Sequence, residues 1–205
     1  GAMPVLHPQP FLNWRKARHP LLFLLLRDKR PMVPLDIDLQ PDSRILLVSG
    51  PNAGGKSVCL KSVGLLQYML QCGILPSADP DSEFGVFSSV LLDIGDQQSL
   101  ENDLSTYSSH LRNMRVFLNE AGAESLFLID ELGAGTDPAF GGGIAEAVLN
   151  RLANSGAWGV VTTHYANLKT LATRRAGIRN AAMLFDSTHL TPLFMLQIGK
   201  PGSSY

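Results

Sequence analysis

The chain is poor in cysteine, almost without net charge, and free of long apolar runs. Its two cysteines, Cys59 and Cys72, fall on one expected helix. At ~1.5 Å per residue they stand about 20 Å apart, too far for a disulfide. Unpaired thiols fit a reducing compartment, so a cytoplasmic location is expected. Lys and Arg total 17 against 18 Asp and Glu, a net charge of −1. That excludes a global basic field drawing the chain onto nucleic acid or an anionic membrane. Any DNA contact must be local or made by further parts of a longer protein. The longest apolar run, Leu21 to Leu26, is far short of the ~20 residues that span a bilayer. No secretory signal is recognisable, and no membrane partner is expected. Repeats and low-complexity tracts are missing too. Gly1-Ala2-Met3 reads as a cloning scar. The whole chain, 205 residues at 45% apolar content, is enough for one large or two small α/β domains.

What the chain does have is Gly50-Pro51-Asn52-Ala53-Gly54-Gly55-Lys56-Ser57. This fits the phosphate-binding loop G-x-x-x-x-G-K-[ST]. Arg44 to Ser49 before it is apolar and β-prone, as a buried parallel strand should be. After it Val58, Leu60, Val63, Leu65, Leu66, Met69 and Leu70 recur at roughly helical spacing. Glycines let backbone N–H groups curl around phosphate oxygens. The new helix points its positive dipole end at the same anion. Lys56 adds a charge at the β/γ-phosphates and Ser57 a hydroxyl for Mg²⁺. The alternative is a glycine turn that happens to precede a helix.

A second motif answers the first. Leu126-Phe127-Leu128-Ile129 reads as a buried strand with Asp130-Glu131 at its end. A strand delivering acids beside a phosphate loop is a Walker B arrangement. Asp130 would then hold the Mg²⁺ shell and Glu131 polarise the attacking water. Without the loop, an acidic strand end turning into a loop would be the better reading.

The other elements follow from periodicity. Val33, Leu35, Ile37 and Leu39 alternate with polar or proline positions, predicting a half-buried strand in a β-rich lobe over residues 4–43. Residues 44–205 form the phosphate-loop core. Within it, 76–82 reads as a loop, Val86–Ile94 as a strand, Thr106–Ala121 as a helix and 125–130 as a strand. Ala139–Ala153 reads as a helix, Ala157–Thr162 as a strand, Tyr165–Thr173 as a helix, and Ile178–Phe185 with Leu190–Ile198 as a closing hairpin. Alternating strands and helices predict a mainly parallel, doubly wound sheet, with ligands at the carboxyl ends of its strands. Gly141-Gly142-Gly143 lacks a following Lys and a preceding strand, so close helix packing is expected there. The end, Pro201-Gly202-Ser203-Ser204-Tyr205, has no helix to cap the last strand and reads as the edge of an excised fragment.

The phosphate loop, Leu-Ser-Thr-Tyr at 104–107, Ile-Asp-Glu-Leu-Gly-Ala-Gly-Thr-Asp-Pro at 129–138, Thr-Thr-His-Tyr at 162–165 and Arg18-His19-Pro20 together resemble the ATPase domain of MutS proteins. The resemblance covers nearly the whole chain, with its motifs in the right order. Gly-Gly-Lys-Ser-Val-Cys-Leu-Lys and Leu-Ser-Thr-Tyr-Ser-Ser-His-Leu look more like the bacterial anti-recombination paralogue than the mismatch-reading protein.

The resemblance implies an ABC-type P-loop fold, ATP and Mg²⁺ as ligands, a homodimer, and DNA as the partner of the full-length protein in repair or recombination control. It also implies a composite site. Ser105, at a helix start, would meet the γ-phosphate held by the other subunit; it would equally serve as a plain N-cap. Asp137 would lie at the dimer interface, or simply in an Asp-Pro turn. His164 would sense the γ-phosphate, and Gln97 or Gln98 would act near the water or Mg²⁺. The Asn52 amide would donate to a phosphate, and Val58 would close the loop's contacts. Adenine would pack between apolar groups, by position Met32 and Leu196, which ordinary core packing explains as well. A transporter ATPase or a chromosome-structural head would need Leu-Ser-Gly-Gly-Gln where Leu-Ser-Thr-Tyr stands. Two function classes follow: an ATPase motor, and a nucleotide-gated dimerisation module in which hydrolysis only resets the state.

Overall fold

The computed structural model describes residues 3–95 and 103–202. β1 (Val5–His7) and β2 (Leu12–Ala17) lead through α1 (Pro20–Leu26) to β3 (Leu35–Leu39). β4 (Ile45–Ser49), one 3-10 turn (Asn52–Gly54) and α2 (Lys56–Gln71) follow as a strand–loop–helix unit. Then come β5 (Glu83–Gly85), β6 (Ser89–Asp93), α3 (Asp103–Glu120), β7 (Ser125–Ile129) and α4 (Pro138–Asn154). The last elements are β8 (Trp158–Thr162), α5 (Ala166–Arg174), β9 (Ile178–Asp186) and β10 (Thr191–Ile198).

The main sheet runs β10-β9-β4-β8-β7-β6. Every pairing in it is parallel except β9–β10. Its central strands β4, β7 and β8 are buried along their whole length and apolar on both faces, because both faces are covered there. The two-residue period sorts them. Leu46 and Val48 of β4, Leu126 and Leu128 of β7, and Val160 of β8 face α2 and the small sheet, where they meet Leu60, Val63, Trp14 and Phe84. Ile45, Leu47, Phe127, Ile129 and Val161 face the other way, onto Met114 and Phe117 of α3, Leu149 and Leu152 of α4, and Leu168 of α5. Each fully buried side chain of this size contributes about 1.5–3 kcal/mol, so the sandwich holds the strand ends rigidly.

The small sheet, β1-β5-β2-β3, draws on more than the first 43 residues. The strand expected over 86–94 is β6, which joins the main sheet. β5, just before it, was not expected from the sequence and pairs with β1 and β2. Gly85 marks the crossing, since a Cβ there would run into the backbone of Gln9, Pro10 and Phe11. The run at 21–26 forms α1, capped by His19, whose Nδ1 accepts from the Leu22 amide (3.3 Å), with Pro20 in the first turn. None of its residues is buried, and Leu21, Leu24 and Leu25 are each more than half exposed. No helix among the described residues is long and apolar enough to cross a membrane.

Close packing at the glycine triplet holds for two of its three members. At Gly141 a Cβ would meet the Gly133 carbonyl and lie 2.5 Å from Tyr165 Oη; at Gly142 it would lie 3.1 Å from Asn167 Oδ1; at Gly143 it would meet nothing.

Candidate functional site

β4 ends in the turn that the glycines permit. Gly50 has φ 135° and Gly55 φ 93°, values an L side chain rarely adopts. Gly50 also lies against β9, where a Cβ would come within 2.9 Å of the Met183 carbonyl. Between them Pro51, Asn52 and Ala53 carry the loop outward, Asn52 and Ala53 exposed and Gly54 buried. Lys56 opens α2 and folds back over the loop. Its Nζ donates to the Gly50 carbonyl (2.7 Å) and to Asn52 Oδ1 (3.0 Å). The side chain is only 2% exposed. Burial pushes its pKa down; Glu131 and Asp130 hold it up, and Lys169 lowers it further. Ser57, half-buried, and Val58, exposed, occupy the next positions of the helix's first turn.

The strand order sets the acids opposite this lysine. β8 lies between β4 and β7, pairing Val48 with Thr162 and Ile129 with Val161. The ends of three adjacent parallel strands therefore lie side by side. Asp130, 6% exposed, receives the Thr162 hydroxyl at Oδ1 (2.5 Å). The Glu131 amide donates to that same Thr162 oxygen (2.7 Å). Glu131 has φ 51°, in the left-handed region that an L residue with a Cβ avoids at a cost of about 1–2 kcal/mol. Its Oε1 pairs with His164 Nε2 at 3.2 Å. The Ser57 hydroxyl, in the first turn of α2, and the Asp130 carboxylate, after β7, are hard oxygen donors of the kind Mg²⁺ takes.

Beside the phosphate loop is a cavity of about 170 Å³, lined among others by Met32, Val33, Val58, Met183, Arg30 and Phe194. Met32 is there; Leu196 is not. It packs against the core cluster instead. The register of β9 with β10 shifts between Pro192 and Leu196, and Phe194 takes φ 55°. The wall ring is thus an aromatic two residues earlier, with Arg30 stacked 5.2 Å above its centroid. The alternation of β10 was readable in the sequence; the shift was not.

Asp137 is the N-cap of α4, accepting from the Ala139 amide (2.9 Å) and more weakly from Phe140 (3.4 Å), and it is exposed. α3 starts at Asp103, so Ser105 belongs to its first turn and not to the cap. Gln97 and Gln98 lie outside the described residues. Sequence reading missed a polar group next to the acids: Asp93, 6% exposed, accepts from His110 Nδ1 (2.6 Å) and Asn113 Nδ2 (2.8 Å), while its carbonyl accepts the Asp130 amide (2.9 Å). The bond to Asp93 is the chief reason the His110 pKa is raised. The signal available was an acid at the end of β6 and a His and Asn three apart on one helix face.

Comparison with known proteins agrees with this geometry. The profile of MutS domain V matches residues 46–205. Among curated proteins, the chain is similar to "Endonuclease MutS2" of Thermomicrobium roseum, 48% identical over 203 residues, 99% of this chain and 25% of the relative. It is similar to the protein of the same name from Pelotomaculum thermopropionicum, 46% identical over 201 residues, 98% of this chain and 25% of the relative. For the Geobacillus kaustophilus protein the figures are 46% over 204 residues, 100% and 25%. The chain thus spans about a quarter of the length of these relatives. With a phosphate-loop turn on one strand, paired acids two strands away and a family profile spanning both, the chain belongs to the MutS domain V family.

Proposed function

We propose that this chain is the Mg²⁺-dependent, ABC-type ATPase domain of a MutS2-like protein that acts on DNA, in repair or recombination control, as a nucleotide-driven homodimer in the cytoplasm. One observation carries the reading: a buried, loop-folded Lys56 stands within electrostatic reach of Asp130 and Glu131 at the end of β7, with only β8 between that strand and β4. The loop from Gly50 to Ser57 binds the triphosphate through backbone amides and Lys56. The nucleobase enters the cavity beside Met32 and Phe194. Ser57 and Asp130 hold Mg²⁺, which when bound neutralises phosphate charge. Glu131 polarises the attacking water and accepts its proton, yielding ADP and phosphate. His164 senses the γ-phosphate, a role that its pairing with Glu131 supports. Ser105 of a second subunit completes the site from the first turn of its α3, and Asp137 lies at the subunit boundary. The relatives' names favour the MutS2 branch over the mismatch-reading protein.

The test is Glu131→Gln. ATP binding by the chain stays, while turnover falls by about 10²–10⁴-fold and dimer accumulates with ATP. Turnover at the unmutated rate would remove Glu131 from its role. Turnover per chain that stays constant on dilution through dimer dissociation would contradict the shared site. A dimer equally tight with ATP and a non-hydrolysable analogue would favour nucleotide as a conformational ligand over hydrolysis as the driver.

A further inference from the structure

We propose that Thr162 is the positioning residue of the acidic pair: one hydroxyl sets both the carboxylate of Asp130 and the backbone of Glu131. The inference rests on reading the site as a Mg²⁺-ATPase.

Thr162 ends β8 and is fully buried between the strand that carries the phosphate loop and the strand that carries the acids. A hydroxyl has one hydrogen to give and lone pairs to receive. Here both capacities are used on consecutive residues. The hydrogen goes to Asp130 Oδ1 at 2.5 Å, a charge-assisted contact. A lone pair receives the Glu131 amide at 2.7 Å. The Thr162 carbonyl then receives the Leu132 amide at 3.1 Å. One residue thus ties down three in a row.

The need for such a tie is visible at Glu131. A glutamate at φ 51° persists only where its surroundings over-determine it. The hydrogen bond from the Glu131 amide to the Thr162 hydroxyl does so, and in this bent conformation the Glu131 carboxylate meets His164. The hydroxyl also commits one oxygen of Asp130, which leaves the other without a protein hydrogen-bond partner among the described residues. The same group therefore governs the oxygen offered to the cation and the aim of the water-polarising carboxylate.

The test compares Thr162→Val with Thr162→Ser. Valine keeps the shape and β preference but strips Asp130 and the Glu131 amide of their shared partner; serine keeps the hydroxyl. Two quantities are read: kcat, and the gain in ATP affinity on adding Mg²⁺, from equilibrium binding with and without the metal. Thr162→Val is expected to lower kcat and to erase the Mg²⁺-dependent gain, each by about 10–100-fold, as loss of a ligand-orienting bond does. Its Mg²⁺-free ATP affinity stays within about two-fold of wild type, and Thr162→Ser recovers most of both losses. If the valine chain does not fold, Thr162→Ala removes the hydroxyl without adding a methyl group and is held to the same outcome. Wild-type kcat and Mg²⁺ gain in the hydroxyl-free chain would overturn the proposal. So would an equal loss of Mg²⁺-free binding, or serine behaving as valine does. If the wild-type chain binds no Mg²⁺-ATP, the ATPase reading itself falls and takes this one with it; a binding wild type with an indifferent Thr162→Val sinks this one alone.

Discussion

Lys56→Met should raise the stability of the nucleotide-free chain while abolishing its response to ATP. The lysine is 2% exposed and makes two hydrogen bonds, to Gly50 O and Asn52 Oδ1, with no salt-bridge partner at contact distance among the described residues. Those bonds are worth about 1.5–3 kcal/mol each to a charged donor, while removing an ion from water costs several kcal/mol. The direction of the pKa decides which wins: it is lowered, chiefly by burial, despite Glu131 and Asp130. The charge is therefore less favourable in the folded chain than in water. Replacing a whole buried ion pair by apolar residues of similar volume is neutral to stabilising by about 1–4 kcal/mol, and the same direction is expected for a lysine whose charge is disfavoured by burial and held by no contact ion pair among the described residues. At about 2–4 °C per kcal/mol for a domain of this size, a gain of ~1 kcal/mol raises Tm by about 2–4 °C. Wild type in ATP·Mg²⁺ at ~100 times Kd gains about 2.7 kcal/mol, or about 5–10 °C. The methionine chain gains nothing. The pH dependence has a definite sign. A lysine with a lowered folded pKa binds fewer protons folded than unfolded, between that pKa and 10.5. Wild-type stability relative to Lys56→Met thus rises with pH through that alkaline window, and the deficit is complete below it. Thermal unfolding with and without ATP·Mg²⁺ reads all three. A nucleotide-free methionine chain melting below wild type, or one still shifted by ATP, would refute the reasoning.

Three further outcomes are expected. Burial, with Asp130 nearby, pushes the Cys59 thiol up to about 12, while Cys72 is exposed; a chromogenic disulfide reagent at pH 8 should titrate one thiol in the native chain and two in denaturant. Gly141→Ala should cost about 1–3 kcal/mol by overpacking against Gly133 and Tyr165, whereas Gly143→Ala, in open space on the same helix, should gain about 0.5–1 kcal/mol, both read from urea unfolding. His110→Ala should destabilise by about 1–3 kcal/mol at pH 6. The His110 pKa is raised by Asp93 above 6.5, so the contribution is complete below 6.5 and shrinks as pH climbs through the folded value; equal losses at pH 6 and pH 9 would contradict it.

Elements whose burial is decided by neighbours in sequence were legible. The apolar run before Gly50, the 3.6-residue spacing after it and the Leu126–Ile129 run all form the strands and helix that periodicity predicts. Elements decided across the chain were not. β5 is three residues long and exists only because β1 and β2 flank it. α1 has leucines on every side and none buried, so no periodic stripe announced it. That Phe194, not Leu196, lines the cavity follows from the register shift in β10, which leaves no local mark in the sequence. Asp93 and His110, 17 positions apart, meet only once β6 and α3 are packed.

By itself the sequence determined the turn at 50–57 and the acids at 130 and 131. Glycine conformational freedom, lysine charge and apolar strand runs are local properties, and they act before any distant contact forms. Tertiary structure decided which strand lies between the loop and the acids. That order buries Thr162 between β4 and β7, bends Glu131 onto His164 and moves the aromatic wall of the cavity to Phe194. A hydroxyl can satisfy two residues of another strand only when the sheet has put that strand next to it, and pairing across a sheet is set by the summed packing of both faces, which no short stretch of the chain contains.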